Sequence, residues 1–180
     1  MDVKKVNTVF QNSNKRIRIS PKVEEMLNER ISAEFEAAYI YKHMSTWASY
    51  TGYTGTACYM KQHYEEELEH AEKLYKYILD RGAMPKTPLI PAQTIKLNSL
   101  KELFNLALEH EIKVTEGYKK ACEVAYSDND KVTAEFLRWF LEEQIDEEGQ
   151  FIDILDRLDV IGDDKRGEFF LDQELANKEE

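Results

Sequence analysis

The chain predicts an all-α fold: a bundle of four long helices with one long crossover and a short fifth helix near the C-terminus. Three observations carry this. Four segments of similar length each repeat inward-type residues at alternating spacings of four and three, the period of a helix buried along one stripe. Seven Gly and four Pro in 180 residues are too few for a many-turned β fold. The breaks between the segments run short, long, short, which suits two hairpins joined by a crossover.

Ser20-Pro21 starts the first helix, α1, expected over about 21–49. Ser is the N-cap, Pro takes the first helical position, and Glu24 and Glu25 lie in the first turn. Its seam runs Leu27, Ile31, Glu34, Ala38, Tyr41, Ser45 and Ala48, and the Thr51-Gly52-Tyr53-Thr54-Gly55 stretch breaks it. The second, α2, is expected over about 54–81 with the seam Met60, Tyr64, Glu67, Ala71, Leu74 and Ile78, and Gly82 just past its end. Residues 83–98 hold Pro85, Pro88 and Pro91 and cannot be regular helix. The third, α3, is expected over about 99–127, with Phe104, Ala107, Glu111, Val114, Tyr118 and Ala125 inward and Cys122 or Ala121 between the last two. Asp130, after the Ser127-Asp128-Asn129 turn, is the N-cap of α4, expected over about 131–161. The α4 seam is Leu137, Phe140, Gln144, Glu147, Phe151, Ile154 and Leu158, and Gly162 ends it. A last helix, α5, over about 167–176, carries Phe169, Phe170 and Leu175. The α2–α3 connection, about sixteen residues at ~3.3 Å each, reaches ~50 Å. A helix of about 28 residues is only ~42 Å long, so the connection can cross the bundle and set α3 parallel to α2.

Composition narrows the function. Hydrophobic residues make up 42% and charged residues 33%, as amphipathic helices require. A net charge of −11 argues against a nucleic-acid partner and suits a protein that attracts cations. No apolar run approaches a membrane span, so no membrane partner is expected. Cys58 and Cys122 form neither a disulfide framework nor a metal spacing, which makes a reducing cytoplasm the default. Residues 1–20 differ from the rest: Lys4, Lys5, Lys15, Arg16 and Arg18 oppose only Asp2. This reads as a flexible basic extension, with organelle targeting as the alternative.

Four glutamates occupy seam positions where apolar residues belong: Glu34, Glu67, Glu111 and Glu147, one in each long helix. An isolated carboxylate is expensive to bury, so a positive partner is implied. Their depths match. Glu34 and Glu67 lie equally far from the α1–α2 turn, as do Glu111 and the Gln144/Glu147 pair from the α3–α4 turn. Glu67 and His70 share a helix face, as do Gln144 and Glu147. Di-iron carboxylate bundles take a Glu from each of two helices and Glu-x-x-His from each of the other two. Here α4 departs from that scheme, offering Gln144-x-x-Glu147 without a His. Anionic oxygen ligands with one imidazole suit Fe(II) and leave room for O₂. The plain alternative is exposed glutamates in an acid-rich chain; the matched depths argue against it.

The stretches Leu27-Asn28-Glu29, Ala33-Glu34-Phe35, Glu65-Glu66-Glu67-Leu68-Glu69-His70, His110-Glu111 and Glu142-Glu143-Gln144-Ile145-Asp146-Glu147-Glu148 resemble non-haem bacterial-type ferritins over roughly residues 21–176. The resemblance implies a ferritin-like four-helix bundle that oxidises Fe(II) to Fe(III) with O₂ or H₂O₂ and stores ferric mineral in a homo-oligomeric shell of 24 subunits. Glu34, Glu67 and His70 would hold one iron, with Glu67 bridging. Glu111 and Glu147 would hold the second, with Gln144 and Tyr41 beside the pair. A third iron position would fall on Glu66, Glu143, Asp146 and Glu147, where Asp146 is shorter than the Glu usual there. Helix α5 would line a four-fold axis. The positions that the resemblance would assign to a three-fold pore hold Ala134 and Leu137, so no entry route is assigned. The missing second Glu-x-x-His and the missing Cys-x-x-Cys separate the chain from bacterioferritins and rubrerythrins. Met44 and Met60 read as core fillers, so no haem is expected. Tyr41 reads as a hydrogen-bond or one-electron donor, or simply as a buried Tyr. Trp139 reads as packing, and His43, His63 and His110 as surface or supporting residues. Tyr39, Trp47 and Phe169 are candidates for contact with neighbouring subunits. Two other readings remain open: a scaffold that binds metal without turnover, and a substrate-oxidising di-iron enzyme, which bulky Tyr64, Tyr118 and Phe140 disfavour.

Overall fold

The computed structural model describes residues 17–176; most of the basic extension, residues 1–16, lies outside the described residues. Five helices and no strand occur among the described residues: α1 Pro21–Thr51, α2 Thr54–Asp80, α3 Leu100–Ser127, α4 Lys131–Ile161 and α5 Lys165–Leu175. None of them is long and apolar enough to cross a membrane.

The expected caps form. Ser20 accepts from the Val23 amide at 3.2 Å and Pro21 is the first helical residue of α1. Ser99 accepts from the Glu102 amide at 3.1 Å, and Asp130 from the Thr133 amide at 3.1 Å. Three of the four long helices end on one device. At Gly82 (φ +85°) the Ala83 amide reaches back to Ile78 O at 3.1 Å and the Gly82 amide to Leu79 O at 2.9 Å. Gly52 (φ +92°) repeats this after α1, and Asn129 (φ +57°) after α3. Left-handed backbone is cheap for Gly and tolerated by Asn, and it satisfies the last helix carbonyls.

Helices α1 and α2 pack along each other, as do α3 and α4, and α1 packs on α3. The crossover runs the length of α1. The Lys86 amide donates to Asn28 Oδ1 at 2.7 Å near the start of α1, and Ile95 O lies 2.8 Å from His43 Nε2 in its later half. Thus α3 begins at the end where α2 begins. Residues 17–20 are tied to the opposite end, where the Arg18 amide donates to Arg81 O at 2.8 Å and Ile19 is buried.

The core is divided. One apolar cluster, with Leu27, Ile31, Leu74, Ile78, Leu137 and Phe140, fills the end near Arg18. Another, with Met44, Met60, Leu103, Phe104, Phe151 and Ile154, fills the other end. Between them lies a polar layer. Helix α5 closes the second end with Leu171 and Leu175, while Phe169 and Phe170 point outward.

Candidate metal centre

Seam geometry brings Glu34, Glu67, Glu111, Gln144 and Glu147 into that polar layer, all buried, with Glu34, Glu67 and Glu111 at most 2% exposed. His70 follows Glu67 by one helical turn, and its Nδ1 stands 3.3 Å from Glu67 Oε2 and 3.5 Å from Glu34 Oε2. Ligand atoms of Glu34, Glu67 and His70 all lie within 4.8 Å of one another. Gln144 Nε2 donates to Glu111 Oε2 at 2.7 Å. Tyr41, wholly buried, donates from its hydroxyl to Glu111 Oε1.

A second group stands beside the first: His63, Glu66 and Glu147 also bring ligand atoms within 4.8 Å. His63 Nδ1 is 3.1 Å from Glu147 Oε2 and 3.3 Å from Glu66 Oε2. Spacing sets Tyr64 in the seam and leaves His63 as a surface or supporting residue. In the fold His63 is buried and Tyr64 only half so, with the Lys42 ammonium 5.3 Å from its ring centroid. Both positions fall near the stripe of a 3.6-residue helix, and spacing alone could not choose between them. Glu143 and Glu66 line a cavity of about 300 Å³ with Glu69, His70, Lys73, Trp139 and Glu147. Asp146 is exposed and does not line that cavity. Trp139 stands edge-on to His70 at 5.4 Å, with Lys73 over its other face.

The electrostatics of the layer are those of acids buried close together. Burial raises the Glu67 pKa well above the ordinary carboxylate value, and the charges of Glu34 and Glu111 raise it further. Burial pushes Glu111 up to about 7, against the hydrogen bonds from Tyr41 and Gln144. Glu34 goes the other way. Burial would raise it, but its polar neighbours His70, Glu67 and Tyr118 and the His70 charge hold it below the usual value. His70 is raised: burial opposes its charge, and Glu34 outweighs burial. Burial lowers the His110 pKa to about 4, leaving that imidazole neutral behind Tyr41.

Four buried atoms in and beside the layer, Glu34 Oε2, Glu147 Oε2, His63 Nδ1 and His110 Nε2, make no well-formed hydrogen bond; the first three have only the close imidazole–carboxylate contacts given above. Buried polar atoms in native proteins almost always have a partner. Unpartnered oxygens beside an imidazole nitrogen form a donor set for a divalent cation, with carboxylates dominating as iron prefers.

The ferritin-like domain family matches residues 24–161. The chain is 32% identical to a bacterial non-heme ferritin of Escherichia coli over 158 residues, 88% of this chain and 96% of that one. It is 34% identical to the bacterial non-heme ferritin of Staphylococcus aureus over 160 residues, covering 89% and 96% of the two chains. The fold is similar to a solved open-pore ferritin of the archaeon Archaeoglobus fulgidus. That match has a TM-score of 0.87 and 35% identity, over 89% of this chain and 99% of that one. With sequence, fold and a buried carboxylate layer in agreement, this chain belongs to the ferritin family.

Proposed function

We propose that the polar layer is a ferroxidase centre for two irons per subunit, and that the protein stores the ferric product in a homo-oligomeric shell of 24 chains. The observation that carries this is the pair of buried, unpartnered oxygens, Glu34 Oε2 and Glu147 Oε2, in a layer of four carboxylates. In this reading Glu34, Glu67 and His70 hold one Fe(II), and Glu111 and Glu147 hold the other, with Glu67 between them. Gln144 and Tyr41 fix Glu111 by hydrogen bonds to its two oxygens. Two Fe(II) give one electron each to one O₂, which leaves with two protons as hydrogen peroxide.

The residues also manage protons. In the metal-free layer burial and neighbouring charge favour the neutral form of Glu67, and burial brings Glu111 to about 7, so both take up protons more readily than ordinary carboxylates. Cations displace those protons on binding. Tyr41 stays a neutral donor, since burial and the Glu111 charge raise its pKa well above the ordinary value. His63, Glu66 and Glu147, with Glu143 on the wall of the adjoining cavity, offer a side position through which ferric ions leave the pair. Membership of the ferritin family supports storage.

Aerobic addition of Fe(II) tests the reading. The wild type should consume Fe(II) rapidly and accumulate iron far beyond a few ions per chain. Glu67→Ala and His70→Ala should each slow the fast phase about tenfold or more. Uptake that stops at a few ions per chain, or unchanged kinetics in both variants, would overturn it.

A further inference from the structure

Tyr118 fills the α3 seam and is wholly buried, yet its hydroxyl does not point into the apolar cluster. It donates to Glu34 Oε1 at 2.6 Å. The other oxygen of the same carboxylate, Oε2, has no hydrogen bond and faces His70 Nδ1 at 3.5 Å. One oxygen is therefore held and the other presented. On the far side of the layer Tyr41 holds Glu111 Oε1 in the same manner. The two contacts are crossed: Tyr41 follows Glu34 on α1 by the same spacing that Tyr118 follows Glu111 on α3, and each phenol serves the other helix's glutamate.

The Tyr118 ring is itself fixed. It stacks on Phe140 at 4.6 Å and 12°, and the Arg30 guanidinium covers it at 5.7 Å. That guanidinium lies where a side chain at position 117 would sit, for a Cβ on Gly117 would fall 1.8 Å from Arg30 Nη1. A core aromatic needs only the ring; a hydroxyl kept under this packing and spent on Glu34 sets the plane of that carboxylate.

We infer that Tyr118 is a positioning residue for the cation held by Glu34, acting through Oε1 to leave Oε2 aimed at the ion. The inference rests on the two-iron reading above and extends it. Partners that orient a metal ligand are worth ten- to a hundredfold in affinity. Tyr118 therefore tunes the Glu34 position alone, as Tyr41 tunes the Glu111 position.

Anaerobic titration of the metal-free protein with Co(II), read by absorption, and anomalous diffraction from crystals at sub-saturating cobalt test this. Wild type should show two ions per chain in the layer. Tyr118→Phe, which keeps the ring, should weaken the Glu34 position about tenfold and spare the other. Tyr41→Phe should do the reverse. In a Glu34→Gln background, adding Tyr118→Phe should change cobalt binding no further, because the hydroxyl acts through that carboxylate. Unchanged affinity with a lower melting temperature would make Tyr118 packing only and overturn the inference. Equal weakening at both positions would overturn it too. A wild type that binds no cobalt in the layer would remove the two-iron reading itself, and Tyr118's role with it.

Discussion

Glu67 and Glu111 are acids held against their preference. Both have raised pKa values, Glu111 to about 7, whereas in the unfolded chain they titrate near 4.5. Between those values the folded protein binds more protons than the unfolded one, so stability falls as pH rises. Their contribution is complete below about 4.5 and is lost as pH climbs through the folded value. Glu34, with its lowered pKa, acts only at more acidic pH and with the opposite sign. Between about pH 4.5 and 7 these two acids should therefore cost metal-free protein denaturant stability, while His110, lowered to about 4 from 6.5, contributes with the opposite sign up to about pH 6.5. Saturating Co(II) should remove the acids' share and leave a profile that rises more steeply with pH; a profile that Co(II) leaves unchanged would count against the assigned protonation. The carboxylates were legible in the sequence because an acid at a seam position is conspicuous. Tyr118 was not, since a seam tyrosine looks like any core aromatic until the helix facing its hydroxyl is known. His63 was hidden for a different reason, one place away from the position that a strict spacing selects. His70 and Gln144 were legible through their spacing to Glu67 and Glu147.

At the scale of elements, the four long helices and their ends could be read to within about two residues, because caps, turns and seams are local. The attachment of α5 could not. Its anchor is Asp172, whose Oδ1 accepts from the Thr56 amide at 2.7 Å and Thr56 Oγ1 at 2.8 Å, and whose Oδ2 accepts from the Gly55 amide at 3.1 Å. The α2 N-cap position, Tyr53, provides no side-chain cap, and α5 supplies the missing acceptor from far along the chain. The close approach demands Gly at position 55, where a Cβ would fall 1.6 Å from Asp172 O. Tyr53 OH adds a hydrogen bond to Glu168 at 2.8 Å. Asp172→Ala should cost roughly 1–2 kcal/mol in urea denaturation, the value of a lost N-cap, and expose α5 to proteolysis. A change below about 0.5 kcal/mol would mean that apolar packing of Leu171 and Leu175 is enough to hold it.

For the whole molecule, the described surface retains large apolar side chains at Val160 and Phe170, which line the groove between α4 and α5, at Phe169 next to Phe170, and at Tyr39 on α1. Trp47 is half-buried, packed with the apolar cluster at its end of the bundle. A storage shell would cover such positions between neighbouring chains. Light scattering should accordingly find a particle many times the 21.1 kDa of one chain; a monomer or dimer would end the storage reading while leaving the metal chemistry standing. The two hairpins are also related. One constant offset along the chain carries Glu34 to Glu111, Tyr41 to Tyr118, Glu67 to Gln144 and His70 to Glu147. The halves thus give matching frames but unequal chemistry, with the imidazole on one side and the amide on the other.

The divided core has a mechanical corollary. Two greasy plugs meet across a waist of buried acids, which the hydroxyls of Tyr41 and Tyr118 and the amide of Gln144 tie from helix to helix. If two ions bind there as proposed, their arrival would rivet the waist and their departure loosen it, so that the subunit's stiffness would rise and fall with its own turnover.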